Sequence, residues 1–155
     1  MKKLVIASVL LVCLVFSSFA AISVGTVLDL PAIGWEFDND ISAQLMLNLQ
    51  SDSEDVEGSI TNIGVRCSYD FFKKGQAAVG VFGALQSISR SDDYEVEGES
   101  GSLVSLGLSV SAKVTEQVKL VSDFTVYQTS SQKDPDVDVN TFGLQDVALG
   151  VLYTF

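Results

Sequence analysis

Apolar and polar residues alternate with a period of two along most of this chain. Residues 147–155 show the pattern most completely, with large apolar residues at odd positions and mostly small residues at even positions. Successive side chains of a β-strand point to opposite faces of the sheet. The pattern therefore predicts a closing strand that has one wholly apolar face and ends on Tyr153 and Phe155.

The same alternation predicts seven strands from residue 33 onward. They cover residues 33–37, 41–49, 63–71, 79–86, 104–114, 118–127 and 147–155. A further strand over residues 22–30, with Leu28 and Leu30 on its apolar face, gives an even count of eight. It requires a very short connection at residues 29–32.

The connections between the predicted strands alternate in length. Short turns are predicted at residues 38–40, 73–76 and 115–117, and longer polar loops at residues 51–59, 91–102 and 129–139. Acidic residues concentrate in these loops, which places negative charge at one end of the sheet. The loop carboxylates are Asp52, Glu54, Asp55, Glu57, Asp92, Asp93, Glu95, Glu97, Glu99, Asp134, Asp136 and Asp138.

The first 20 residues have the composition of a cleaved secretory signal peptide. Lys2 and Lys3 precede an apolar run that ends before Ser18 and Ala20, the small residues that a cleavage site requires. Cys13 raises the alternative of a lipid anchor, but Val12 stands before it where a small residue is expected. We therefore expect an exported chain whose folded domain covers residues 21–155.

Charge and composition exclude several functions. The net charge of −11 argues against nucleic acid and against an anionic membrane surface as partners. The chain has no His, which removes Ser-His and Cys-His catalysis. Cys67 is the only Cys after residue 20, so an internal disulfide cannot form there. We expect neither an enzyme nor a cofactor.

A metal site in the acidic loops receives little support. Residues 134–138 carry three carboxylates at alternate positions, but they lack the Gly and the distal Glu of a calcium-binding loop. A solvated charged loop is the favoured interpretation, so no metal ligand is assigned. Loose bridging of divalent cations to neighbouring phosphates stays open.

The chain ending resembles the C-terminal signature of small bacterial outer-membrane β-barrel proteins of the OmpA/OmpX type. The resemblance rests on Val151, Tyr153 and Phe155, and on residues 31–40, where an aromatic-ended strand meets an Asp-Asn turn. It implies an all-β, antiparallel up-and-down transmembrane β-barrel of eight strands, integral to the outer membrane. Outer-membrane lipid, lipopolysaccharide and the barrel-assembly machinery are the implied partners. Oligomeric state is left open.

Two groups of side chains follow from the strand faces. The first is a charge network in the barrel lumen, comprising Glu36, Arg66, Asp70, Lys113, Lys119 and Asp123. An eight-stranded barrel is filled by its own side chains, which favours a packed plug over an open pore. The second is an aromatic girdle at the turn-side end of the barrel, comprising Trp35, Phe37, Tyr69, Phe71, Tyr153 and Phe155.

The function predicted from these patterns is a structural or surface-interaction barrel with a lumen filled by polar side chains, whose acidic loops could bind surface partners. Two alternatives remain. One is a narrow, weakly conducting porin-like channel. The other is a secreted soluble β-barrel that binds a small apolar ligand and carries its apolar face inward.

Overall fold

The protein is a single antiparallel sheet closed into a barrel. The computed structural model describes residues 21–37, 40–52, 58–90, 101–133 and 136–155. Each strand pairs with its sequence neighbours, and β1 pairs with β8, which confirms the predicted eight-stranded up-and-down barrel. The strands are β1 (Ala21–Val27), β2 (Leu30–Glu36), β3 (Ile41–Asp52), β4 (Gly58–Lys74), β5 (Ala77–Arg90), β6 (Gly101–Lys113), β7 (Val118–Lys133) and β8 (Asp136–Thr154).

The first hairpin differs from its prediction. The strand predicted over residues 22–30 ends at Val27, and a two-residue turn at Leu28 and Asp29 leads directly into β2. Both turn residues have positive φ, 50° and 60°, which is the backbone of the tightest hairpin turns. Leu30 was predicted on the apolar outward face, but it begins the next strand and is buried inside the barrel.

Several other connections are shorter than predicted, because the strands on either side extend into them. The polar loop at residues 129–139 is wrong for most of its length, because β7 continues to Lys133 and β8 begins at Asp136. Polar side chains do not end a strand whose backbone hydrogen bonds are made by a neighbouring strand. The turn predicted at residues 73–76 shrinks to Gly75 and Gln76, where Gly75 has a φ of 61°. Residues 53–57, 91–100 and 1–20 lie outside the described part of the chain.

The barrel has two different ends. The turn end carries the connections after β2, β4 and β6, together with Ala21 and Phe155. At the opposite loop end the wall is uneven, because β1 and β2 have only 7 residues each. Residues 47–52 of β3 therefore pair with β4 alone, and residues 136–150 of β8 have no partner in β1.

Large apolar side chains cover the outside of the barrel. Leu45, Leu106 and Leu108 are each more than 40% exposed, and small or polar residues between them point into the lumen. A barrel whose core faced inward would show the opposite arrangement. No helix within the described segments is long and apolar enough to span a bilayer.

A β-bulge near the end of β4 changes which side chains point inward. Asp70 pairs with Gly80 and Phe72 pairs with Val79, so Phe71 is an extra residue in the strand. An uninterrupted strand would turn Phe72 into the lumen with Asp70. The bulge instead leaves Phe71 and Phe72 both exposed and brings Lys73 opposite the buried Ala78.

Close approach of two strands requires a glycine in β6. A Cβ added at Gly107 would lie 2.1 Å from the Phe124 carbonyl oxygen and 2.7 Å from the Phe82 ring. We predict that Gly107→Ala lowers the free energy of unfolding by about 1–3 kcal/mol through overpacking. Urea unfolding in detergent micelles measures this. Gly83→Ala is the control, since its Cβ meets only the end of the Leu106 side chain at 3.2 Å. Equal unfolding free energies for the two variants would contradict the packing argument.

Candidate functional site: the charged lumen

Arg66 on β4 is the centre of the lumen and is only 1% exposed. Its guanidinium forms a two-bond pair with Asp123 on β7, with Nε at 2.8 Å and Nη2 at 2.7 Å from the two carboxylate oxygens. β4 and β7 are not neighbours in the sheet, so this pair crosses the barrel. Planar two-bond pairing is the strongest arrangement that arginine makes with a carboxylate.

The remaining donors of Arg66 are also used. Nη1 donates to Gln44 Oε1 at 2.8 Å and to Ser68 Oγ at 3.1 Å, and Nη2 donates to Ser109 Oγ at 2.9 Å. All five N–H groups of a guanidinium therefore have acceptors. This matters because an arginine cannot lose its proton when it is buried, so an unused donor would carry the full cost of desolvation.

The network continues to β3 and β5. Gln44 Nε2 donates to Ser42 Oγ at 2.9 Å, and the hydroxyls of Ser42 and Ser68 are 2.7 Å apart. On the neighbouring β5, the Phe82 ring centroid lies 5.2 Å from the guanidinium carbon of Arg66, within the range of a cation–π contact. Side chains of β3, β4, β5, β6 and β7 thus converge on one positive charge.

An apolar cluster fills the lumen beside this network. Met46, completely buried, lies two residues closer to the loop end than Gln44 on β3. The lumen filling is therefore partly apolar, whereas the sequence predicted polar side chains. Its members come from six strands and are Val27, Leu30, Ala32, Met46, Phe82, Ala84, Val121 and Leu152.

A second set of charges surrounds a cavity of about 200 Å³ at the turn end. Lys119 Nζ is 3.1 Å from Glu36 Oε1 and 3.9 Å from Asp70 Oδ2, and these three side chains are mostly buried. A void of only about 10 Å³ separates this cavity from the Arg66 network. A space of that size holds at most one water, so the network closes the inner end of the cavity.

Two further lysines line the same cavity. Lys73, which the bulge places on the lumen side of β4 at the rim, is half exposed and forms an ion pair with Asp40. Hydrogen bonding to Asp40 raises the pKa of the Lys73 ammonium, which is half exposed to solvent near the β4–β5 turn. Lys113 lies opposite Lys119 in the β6–β7 register and makes no ion pair with any described residue.

The structure divides the six predicted lumen charges into two groups. Arg66 and Asp123 form the buried pair, while the other four line the turn-end cavity. Among the aromatic residues predicted as a girdle, Trp35, Tyr69, Phe71, Tyr153 and Phe155 are exposed on the outer surface. The rings of Tyr153 and Phe155 make an edge-to-face contact at 5.1 Å. Phe37 is half-buried and lines the cavity.

Sequence reasoning missed several members of both sites. Gln44, Ser42 and Met46 stood on the inward face by parity, but nothing in the pattern showed that they meet Arg66 or fill the lumen. Lys73 and Asp40 were assigned to turns, and a bulge of one residue has no signal in the alternation. The inward-facing position of Lys73 becomes visible only from the register of β4 against β5.

No family model matches the sequence, and no curated protein or solved structure shows significant similarity to it. The described residues also contain no group of three or more His, Cys, Asp or Glu side chains positioned to hold a metal ion.

Removing Arg66 tests the central network. We predict that Arg66→Met costs about 3–5 kcal/mol of unfolding free energy, because Asp123 is left buried without a partner. The double variant Arg66→Met/Asp123→Leu should lose clearly less than the sum of the two single losses. Chemical unfolding of all four proteins gives the coupling energy.

Lys74→Met serves as the matched control for this cycle, since Lys74 is an exposed cation on the same strand. Its unfolding free energy should stay within about 0.5 kcal/mol of the wild type. Strictly additive losses for Arg66 and Asp123 would show that the two side chains do not depend on each other.

Proposed function

We propose that this protein is an integral outer-membrane β-barrel with a structural or surface-interaction role, exported by residues 1–20, and neither an enzyme nor a channel. The observation that carries the proposal is the outward apolar face of a closed barrel. A water-soluble barrel would expose that face to solvent at a large free-energy cost. A bilayer removes this cost, and in a closed barrel the strands pair their backbone groups with one another instead of with water, which a bilayer requires.

The height of the apolar surface supports this proposal. On β6 and the turn after it, outward apolar side chains run from Val104 to Val114. About ten residue steps at roughly 3.3 Å per step, on strands tilted by about 40°, correspond to roughly 25 Å along the barrel axis. Membrane β-barrels carry an apolar band of about 25 Å.

The turn end has the features expected at a membrane interface. Trp35, Tyr69 and Tyr153 are exposed there, and each can bury its ring while its polar group meets water. Under the proposal these residues, with Phe71 and Phe155, anchor the periplasmic rim. Val151, Tyr153 and Phe155 then serve as the signature read by the barrel-assembly machinery.

The loop end supports a role in surface contacts. Beyond the tip of the short β1–β2 hairpin, β3 and β8 each have one edge without a partner strand among the described residues. An unpaired edge presents backbone donors and acceptors to another molecule. The acidic loops start from this end, which adds negative charge around the edges.

The lipid-facing assignment is tested by a charge near the middle of the apolar surface. We predict that Leu108→Arg loses about 2–4 kcal/mol of folding free energy in lipid vesicles, because arginine is costly near the bilayer midplane. Urea titration of vesicle-inserted protein provides the measurement. The matched control is Val114→Arg at the turn-end rim, which should cost about 0–1 kcal/mol. Wild-type stability for Leu108→Arg would contradict a membrane location for this face.

The porin-like alternative is tested by conduction. The lumen is closed by Arg66, 1% exposed, and by Met46, 0% exposed, so an ion would have to break the buried pair to pass. We predict no steady ion-selective channel in planar bilayers. A stable conductance that changes in Glu36→Gln or Asp123→Asn would favour the channel instead.

A further inference from the structure

The charged side chains around the turn-end cavity are not explained by the filling of the lumen alone. The β4 bulge places Lys73, whose side chain is 51% exposed and paired with Asp40, at the mouth where an uninterrupted strand would turn a phenylalanine inward. Asp40, which lies beside Lys73, has a φ of 66°, a left-handed turn conformation that Asp adopts more readily than most residues. The bulge thus places a cation beside Asp40 at this mouth, and bulges frequently re-aim side chains beside functional sites.

The space in the cavity comes from small residues on β5. Ala78 and Gly80 are successive inward-facing residues of β5, which pairs with β4 and β6. A Cβ at Gly80 would lie 2.3 Å from the Tyr69 carbonyl oxygen and 2.8 Å from Asp70 Oδ1, so the absence of a side chain lets both the β4 backbone and the Asp70 carboxylate approach β5 closely. The resulting cavity of about 200 Å³ could hold roughly six waters, or a molecule the size of a small amino acid.

Charge in the cavity is balanced in number but unevenly paired. Three ammonium groups and three carboxylates line it. Lys119 is used by Glu36 at 3.1 Å, and Lys73 is used by Asp40. Asp70 lies 3.9 Å from Lys119, beyond the length of a charge-assisted hydrogen bond.

Lys113 is the least paired cation of the cavity. It makes no ion pair within the described residues and lies directly opposite Lys119 in the register, where two like charges repel. The walls of the cavity therefore carry one solvent-exposed ammonium group that makes no ion pair among the described residues, and one mostly buried carboxylate whose contact with Lys119 is long. A ligand with one charge of either sign would satisfy only one of them.

We propose that this cavity binds a small zwitterion, a molecule with one carboxylate and one ammonium group, such as a free amino acid with a short side chain. Lys113 holds the carboxylate and Asp70 holds the ammonium. Both ligand charges exchange water for a charged partner, and the repulsion between Lys113 and Lys119 is reduced. The proposal does not depend on membrane insertion, so it can fail or succeed independently of the proposed function.

Titration of the folded protein in zwitterionic micelles at constant ionic strength tests this inference. The probes are L-alanine, acetate, methylammonium and inorganic phosphate, and the readout is the backbone amide shift of Asp70, Ser111 and Lys113. L-alanine should give saturable shifts. Acetate and methylammonium, which each satisfy one charge, should bind at least about tenfold more weakly.

Variants locate the site. Lys113→Met and Asp70→Asn should each weaken L-alanine binding at least about tenfold, because each removes one charge-assisted contact. Lys113→Met breaks no described ion pair, so it keeps the test valid even if Asp70→Asn folds poorly. Lys74→Met, an exposed lysine at the same end, should leave the affinity unchanged.

Three results would overturn the proposal. The first is the absence of saturable shifts with L-alanine up to about 100 mM, a concentration far above the millimolar affinities of weak sites. The second is unchanged affinity in Lys113→Met. The third is tighter binding of phosphate than of L-alanine, which would identify an anion site rather than a zwitterion site.

Discussion

A permanent positive charge buried inside a narrow barrel constrains most of this structure. An arginine side chain stays charged in proteins, so every donor of the buried Arg66 guanidinium needs an acceptor at a fixed place. Those acceptors come from β3, β4, β6 and β7, and the aromatic face comes from β5. A slip of one residue in the register of any of these strands would turn an acceptor to the outside of the barrel.

The buried pair therefore favours one register of the strands, because a slip would leave a buried charge without its partner. Apolar side chains on the outer surface do not distinguish one register from another when their environment is uniform. Directional hydrogen bonds do, because they tolerate little change in distance or angle. The apolar cluster around Met46 fills the volume that the network leaves, and it adds bulk without adding direction.

Much of the fold could be read from the sequence, because period-two alternation determines both the strands and their faces. Leu106 and Leu108 were predicted outward and Ser109 inward, and the structure places them so. The failures occurred where the period breaks or where polarity misleads. The Leu28–Asp29 turn contains no Gly or Asn to mark its left-handed backbone, and residues 129–133 are polar yet continue β7.

The candidate site was predictable as a list of inward charges and not as a set of partners. Parity placed Arg66 and Asp123 in the lumen, but their contact spans 57 residues of sequence and depends on barrel closure. The inward turn of Lys73 depends on one extra residue in β4, and alternation on either side of a bulge gives no indication of its position.

The seam of the barrel has a consequence for the order in which the molecule assembles. β1 and β8 are joined by only four register pairs, whereas the pairing of β7 with β8 extends over most of both strands. Closing this seam brings together the two ends of the folded chain, which carries the largest loop-closure entropy of any contact in the sheet. The β1–β8 pairing, which forms last during folding and is the shortest in the sheet, is therefore also expected to separate first. Slow hydrogen exchange in β4 through β7 and fast exchange along β1 would be its signature in the native ensemble.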